Sequence, residues 1–402
     1  MDVYDRLGVR KRINAAGLPT RLGGSLMPPE VLQAMTEAAQ AFVDIAELQA
    51  RASAVIAECT GAEAGLVTSG AAAALTLGAA ACLTGLDVAR MERLPDTQGM
   101  ANEVIMCRTH RTAYDHAIRA AGARIRDVGF NDRATGAGVR GIEAWEIEAA
   151  ITPQSVAIAY TVYPGSQPSL PEVVTVARQH GLPVIVDAAA QLPPAENLRR
   201  LIDEGANLVA FSGGKAIRGP QSTGILCGRR DLIAAAALQQ LDMDVAPETW
   251  RPPENFIPRQ ALRGIPHHGL GRGFKVGKEE IVGLIVALQR FVRSDVKAEI
   301  AAKEKQLVFM AEQLADVPHV RGRLLPAAET GRFPLLELLL DESALGRIAS
   351  AISLELQEGD PPVNLNERRA KEGILTISPA GLQEGDERTV VTRLIAVLGK
   401  RS

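Results

Sequence analysis

The strongest constraint on this chain is a rhythm of short apolar runs, each closed by turn residues and followed by a helical pattern. The runs fall at 64–68 (AGLVT), 104–107 (VIMC), 123–128 (ARIRDV), 155–160 (SVAIAY), 182–187 (LPVIVD), 207–211 (NLVAF) and 224–227 (GILC). All but 123–128, half of which is charged, are mostly apolar, and apolar runs of this length belong to strands covered on both faces. Helical patterns near 71–83, 112–121 and 170–180 lie between them. Strands alternating with helices predict an α/β chain with a mostly parallel, seven-stranded sheet, and right-handed crossovers place helices on both faces.

The rhythm changes after a Pro- and Arg-rich stretch at 247–266. A long helical pattern begins near Lys278 and runs past Lys303. Strands at 333–340 and 373–377 and helices at 342–352 and 386–398 then read as a smaller α+β domain. At roughly 150 residues per domain, 402 residues fit two to three domains. The expected division is an N-terminal segment at 1–50 that packs on the small domain, a large domain at 51–265 and a small one at 266–402.

Composition narrows the function classes. Lys and Arg number 44 against 47 Asp and Glu, a net charge of −3. No basic tract suits a nucleic-acid backbone. No window approaches the ~18 uninterrupted apolar residues of a membrane span, and the N-terminus lacks the apolar core of a signal peptide. Cys59, Cys82, Cys107 and Cys227 are too scattered for zinc spacing and read as free thiols in a reducing compartment. A cytoplasmic enzyme acting on a small molecule is the expectation.

Three segments carry the chemistry. Thr68-Ser69-Gly70-Ala71-Ala72-Ala73 joins a strand to a helix. Its small residues leave the first helical N–H groups uncovered, which suits a phosphate ester; alone, it is also an ordinary tight turn. Asp187 closes the apolar run PVIVD, at the sheet edge where parallel sheets bind ligands; a strand-end Asp is as often a helix cap. Ser212-Gly213-Gly214-Lys215 follows the next run. An amine brought to that edge can form an imine with an aldehyde cofactor, whereas a surface lysine is the plain alternative. Taken together, the three meet the needs of pyridoxal 5'-phosphate: a lysine, an acid for the pyridine nitrogen and a phosphate cradle. Asp187 precedes Lys215 by one βα unit (215 − 187 = 28 positions).

Rival motifs fail. Gly214-Lys215 lacks the earlier glycine and the following Ser/Thr of a phosphate-binding Walker loop. Ser212-x-x-Lys215 matches the serine-acylase spacing, but two glycines disfavour its helix.

At these residues the chain resembles fold-type I pyridoxal-phosphate enzymes with the aspartate aminotransferase-like fold. Within them it is most similar to the selenocysteine synthase-like branch and its D-glucosaminate-6-phosphate ammonia-lyase group. The segments are INAAGLPTRLGGSLM (13–27), ECTGAEAGLVTSGAAAAL (58–75), CRTHRTAYDHAIRAAGA (107–123), VDAAAQLPP (186–194), SGGKAIRGPQSTGIL (212–226) and GRGFKVGKEEIVGL (271–284). The resemblance implies that Lys215 carries the cofactor imine and moves the Cα proton. Asp187 would pair with the pyridine nitrogen. Ser69, Gly70, Ala71, Ala72 and Ser212 would hold the phosphate, and Gln191 would reach the ring hydroxyl. His110 would stack on the ring, since aromatic residues are only 3% of the chain and none lies in CRTHRT; His116 is the weaker candidate. Arg218 and Gln221 would touch phosphate or a neighbouring subunit. Asn14, Thr20, Arg21, Arg272 and Lys275 would bind substrate, with Lys278 either joining them or starting a solvated helix.

One departure stands out. The strand ILTIS runs into Pro379-Ala380-Gly381 without the arginine that many fold-type I enzymes use for the substrate carboxylate. The resemblance implies α,β-elimination with ammonia release from a β-hydroxy or β-substituted amino acid, in a homodimer or larger assembly. Aldol cleavage, racemisation and transamination use the same carbanion. Selenium transfer to a seryl-tRNA and a cofactor-binding protein without catalysis are the remaining alternatives.

Overall fold

The computed structural model describes residues 2–130 and 141–399. Its strands are β1 (Ile13–Ala15), β2 (Ala64–Thr68), β3 (Glu103–Cys107), β4 (Arg124–Val128), β5 (Ser155–Thr161), β6 (Val184–Asp187), β7 (Leu208–Ser212), β8 (Gly224–Gly228), β9 (Val320–Leu325), β10 (Leu335–Leu340), β11 (Val363–Leu365) and β12 (Ile374–Ile377). The chain forms two compact units. Met27–Arg293 makes the larger; the residues up to Leu26 and those from Ser294 onward make the smaller.

In the larger unit seven strands run in the order β2-β8-β7-β6-β5-β3-β4. Those from β7 to β4 pair in parallel, while β8 is antiparallel to both β7 and β2. The exception has a local cause. Residues 213–223 separate β7 from β8, fewer than the dozen or more that a parallel crossover takes. The short return is the segment that carries Lys215.

The helix Ala71–Thr84 is apolar on every side and nearly all buried. It lies against the sheet and against Arg230–Gln240, a second helix with few polar positions. A helix without a polar face belongs in the interior. Strand β2, at the sheet edge, is closed by side chains of the helix Ile45–Thr60. Gln49, itself buried, accepts from the Val67 N–H at 3.1 Å and donates to the Val67 carbonyl at 2.8 Å. Ser53 accepts from the Gly65 N–H at 2.9 Å. An edge covered in this way offers no template for another strand. Gln49→Leu keeps the volume but strands both Val67 groups. It should lower stability by about 1–3 kcal/mol, read from the urea midpoint at unchanged slope.

In the smaller unit β12-β10-β9 form an antiparallel sheet, and β1 pairs in parallel with β11. The two chain ends are joined further by the Ala16–Ser378 bridge. Leu307, Met310, Leu336, Ile352, Leu356 and Leu394 fill its core.

Several boundaries differ from those read in the sequence. The helix Pro29–Ala38 lies in the larger unit, not on the small domain, and so does Lys278–Arg293. The two helices pack where Gly283 lacks a side chain: a Cβ there would lie 2.8 Å from Met35 Cγ. Arg290 pairs with Glu30 at 2.7 Å across the same contact. The long pattern from Lys278 is two helices, because Asp295 caps a new one, Val296–Gln313, by accepting from the Ala298 N–H at 2.9 Å. Gly346, at φ 65°, splits the pattern at 342–352 into Glu342–Leu345 and Ala349–Glu358. The pattern at 112–121 starts as a 3-10 turn and is α-helical only over His116–Ala120. All four cysteines are free thiols, and burial pushes Cys82, Cys107 and Cys227 up to about 12. Among the described residues no helix is long and apolar enough to cross a membrane.

Candidate active site

The carboxyl ends of β5, β6 and β7 bring together the residues that the sequence singles out. Asp187 is the last residue of β6 and stands beside Thr161 of β5 and Ala210 of β7. Its carboxylate accepts from the Ala189 N–H at 3.0 Å. Burial pushes its pKa up; that hydrogen bond and the charge of Lys215 pull less strongly the other way. A half-buried carboxylate held in this way favours a cationic partner.

Lys215 sits in the turn after β7. Gly213 donates to Thr223 O at 2.8 Å, and Gly219 donates to Gly213 O at 2.9 Å, folding the segment onto itself. Both glycines before the lysine are needed for this. A Cβ on Gly213 would lie 2.2 Å from Thr223 Oγ1, and one on Gly214 would lie 2.5 Å from the Gln221 backbone. Arg218 takes the left-handed conformation at φ 61° in the same turn.

The anion cradle is the entry to the helix Ala71–Thr84. Gly70, at φ 112°, occupies the N-cap and provides no side-chain cap. The first intrahelical bond is Ala74 N–H to Gly70 O at 3.0 Å, so the N–H groups of Ala71, Ala72 and Ala73 point beyond the helix end. Gly224 of β8 backs this loop: a Cβ there would lie 2.4 Å from the Gly70 carbonyl carbon. Ser69 fixes the loop by donating to Phe274 O at 2.7 Å, which leaves its oxygen able to accept. Ser212 closes β7 opposite Gly224.

His110 lies in a 3-10 turn directly after β3 and is 1% exposed. Tyr160 and Tyr163 meet its ring edge-on, with centroids 4.5 and 5.4 Å away. Burial pushes its pKa down to about 4, opposed by the Gln167 backbone. Its Nε2 is buried with no hydrogen-bond partner among the described residues. The next residue, Arg111, anchors the turn through Asp115 and, at 2.5 Å, Asp127. A cavity adjoins Asp187 and is lined by Leu75, Met106, Thr112, Asp115, Thr161 and Ile185.

Other expected site residues are placed differently. Gln191 donates one of its two amide N–H groups to Val162 O at 2.6 Å, which fixes the amide at the end of β5. Gln221 and Lys275 are exposed. Arg272 is tied to Asp242 at 2.5 Å. Lys278 donates to Ala38 O at 2.9 Å and pairs with Glu279, so it belongs to the start of its helix. His116 is exposed. In the smaller unit, Asn14 is engaged locally: it donates to Gly17 O at 2.7 Å and accepts from the Ala16 N–H at 3.0 Å. Thr20 opens a 3-10 turn, and Arg21 lies 3.7 Å from Glu367. Thr161 and the two tyrosines around His110 escaped the sequence reading. Their only signal was their position at and just beyond the end of the run 155–160.

This arrangement fits pyridoxal phosphate on structural grounds. A half-buried acid, a lysine in a glycine-built turn, an uncapped helix entry and a buried imidazole nitrogen without a partner among the described residues all lie in one unit. The sheet and the smaller α+β unit are those of the aspartate aminotransferase-like fold of pyridoxal-phosphate enzymes. Residues 30–226 match the DegT/DnrJ/EryC1/StrS aminotransferase family model. The chain is 33% identical to D-glucosaminate-6-phosphate ammonia lyase of Salmonella typhimurium, over 98% of its own length and 97% of that protein's. It is 30% identical to 5'-C-glycyluridine monooxygenase-decarboxylase of a Streptomyces species, over 98% and 92% of the two chains. A solved structure of D-glucosaminate-6-phosphate ammonia-lyase superposes with a TM-score of 0.80 at 31% identity, covering 100% and 99% of the two chains. The chain therefore belongs to the D-glucosaminate-6-phosphate ammonia-lyase family of fold-type I pyridoxal-phosphate enzymes.

Proposed function

We propose that this chain is a pyridoxal-phosphate-dependent ammonia lyase that acts on a β-hydroxy amino acid of the sugar-acid type. The observation that carries this reading is Asp187, a carboxylate held at a buried strand end beside the charge of Lys215. Full-length similarity to an ammonia lyase supports it. When bound, the cofactor supplies an electron sink for the carbanion formed at the substrate Cα.

The chain's residues do the rest. Lys215 would hold the cofactor and move the substrate's Cα proton. Asp187 would pair with the pyridine nitrogen and favour its protonated form. The N–H groups of Ala71 and Ala72, with Gly70, Ser69 and Ser212, hold the phosphate; Arg218 and Gln221 border it. His110 confines the ring. The Cα–H and Cβ–O bonds break, and the hydroxyl leaves as water. Hydrolysis of the released enamine returns that water and gives a keto acid and ammonia. A small-molecule amino acid as substrate, a cytoplasmic setting and a homodimer or larger assembly go with this reading, and sedimentation tests the last.

The decisive assay supplies the holoenzyme with D-glucosaminate 6-phosphate and related β-hydroxy amino acids in the absence of oxygen. Release of ammonia and keto acid in equal amounts is expected; finding neither would overturn the reading. The Streptomyces relative motivates the second reading, an oxidative decarboxylation. Oxygen uptake with loss of carbon dioxide would mark it.

A further inference from the structure

We infer that Thr161 is a positioning residue that presents His110 to the bound cofactor and substrate as a neutral Nε2–H hydrogen-bond donor. The inference rests on the pyridoxal-phosphate reading for its purpose, but its geometry stands alone. Thr161 ends β5 and is the strand partner of Asp187. It holds His110 by two bonds. Its backbone N–H donates to His110 Nδ1 at 3.4 Å, and its hydroxyl donates to the His110 carbonyl at 2.9 Å.

The first bond decides the tautomer. Nδ1 must offer its lone pair to an N–H that cannot rotate away, because that N–H belongs to a strand end. In a neutral ring the hydrogen then resides on Nε2. A backbone donor aimed at Nδ1 also opposes protonation there, since an imidazolium would point a hydrogen at a hydrogen. The second bond fixes the turn that carries the ring, so the first stays in register.

Among the described residues Nδ1 has no bond besides that from Thr161, and the Gln167 backbone favours a hydrogen on the ring. Tyr160 and Tyr163 meet the ring edge-on. Asp187 faces Thr161 and accepts from Ala189, within the pull of Lys215. Cys107 precedes the turn, with burial pushing its thiol up to about 12. Arg108 and Arg111 lie on the same turn and are engaged by Asp127 and by Asp127 with Asp115, respectively. The result is a buried Nε2 without a partner among the described residues. Buried polar atoms are almost always bonded, so such a group marks a place where a ligand completes the set. A neutral donor there can polarise a substrate or cofactor oxygen without adding a second positive charge near Lys215.

The test reads the tautomer directly. Long-range proton–nitrogen spectra of histidine-labelled protein separate Nε2–H, Nδ1–H and imidazolium forms. The other five of the six histidines, His116, His180, His267, His268 and His319, are exposed. Each can be assigned by a single substitution, which leaves His110 intact. The expected result is an Nε2–H ring that does not titrate between about pH 6 and 8. An Nδ1–H ring or an imidazolium in that range would overturn the inference.

Thr161→Val keeps the shape and the N–H but deletes the hydroxyl, while Thr161→Ser restores it. The Val variant should broaden or mix the His110 tautomer signal. It should also weaken pyridoxal-phosphate binding about 3- to 10-fold, in line with one lost hydrogen bond. The Ser variant should stay within about 2-fold of the parent. A Val variant with an unchanged His110 spectrum and unchanged affinity would sink the role of Thr161. The spectra need no cofactor. A protein that shows the Nε2–H ring but binds no pyridoxal phosphate would therefore count against the proposed function and leave the His110–Thr161 geometry standing.

Discussion

Lys215→Ala should lower turnover by on the order of 10⁴-fold or more and abolish the visible absorbance of the covalently held cofactor, while the protein still folds and unfolds cooperatively. A positioned acid–base group alone contributes about 10²–10⁴-fold, and Lys215 is also the covalent anchor. The fold should tolerate the change because the turn is built by its neighbours. Gly213 and Gly214 remove side chains that would collide with Thr223 and Gln221, and the bonds Gly213 N–H to Thr223 O and Gly219 N–H to Gly213 O close it. None of these contacts uses the lysine side chain. Pyridoxal phosphate should still bind, without a covalent link, through the helix entry at Gly70 and through Asp187. The measurements are ammonia release, absorbance before and after borohydride, and thermal unfolding. Turnover within tenfold of the parent would remove Lys215 from the chemistry.

The large sheet and the core of the site were legible in the sequence for the same physical reason. Strands buried on both faces must be apolar along their whole length, so their ends are sharp, and the residues just past the ends stand out. Asp187 and Lys215 were found in that way, and the short 213–223 return shows why β8 reverses direction. The smaller unit was less legible. Strand β9 reads VRGRLL, with Arg321 and Arg323 sharing a face with Leu325 and a glycine between Val320 and Leu324 on the other, and β1 and β11 are three residues each, too short for any period to register.

Helix ends depended on single capping residues. Asp295 and Gly346 divide patterns whose apolar spacing runs straight through them. Within the site, the sequence identified His110 but not what controls it. Thr161 acts through its backbone N–H and through a hydroxyl bond to a carbonyl 51 positions away. The N–H carries no residue signature, and the pairing of the hydroxyl with so distant a carbonyl carries none either. Asn14 and Lys278 show the converse. Both are polar residues in segments that carry the family resemblance, yet each satisfies a nearby backbone group.

Asp187→Asn should move activity and stability in opposite directions. Burial raises the Asp187 pKa, outweighing the Ala189 N–H and Lys215. The folded protein without cofactor therefore binds this proton more tightly than the unfolded chain does. Its contribution to stability falls as pH rises from the unfolded value, about 3.9, through the raised folded value; above that the cost is constant. Asparagine carries no charge and can still accept from Ala189. The variant without cofactor should thus melt at a higher temperature than the parent at pH 7, and the gap should close as the pH is lowered through that window. Turnover should fall by on the order of 10²–10³-fold, as when one preorganised electrostatic group is lost from a site. Saturating pyridoxal phosphate should then reverse the order of melting temperatures. Only the parent carboxylate gains a cationic partner from the pyridine nitrogen, and tighter binding stabilises the folded state by mass action. If the variant without cofactor melted lower than the parent, Asp187 would be a structural acid satisfied within the protein, and the assignment of the pyridine nitrogen to it would fail.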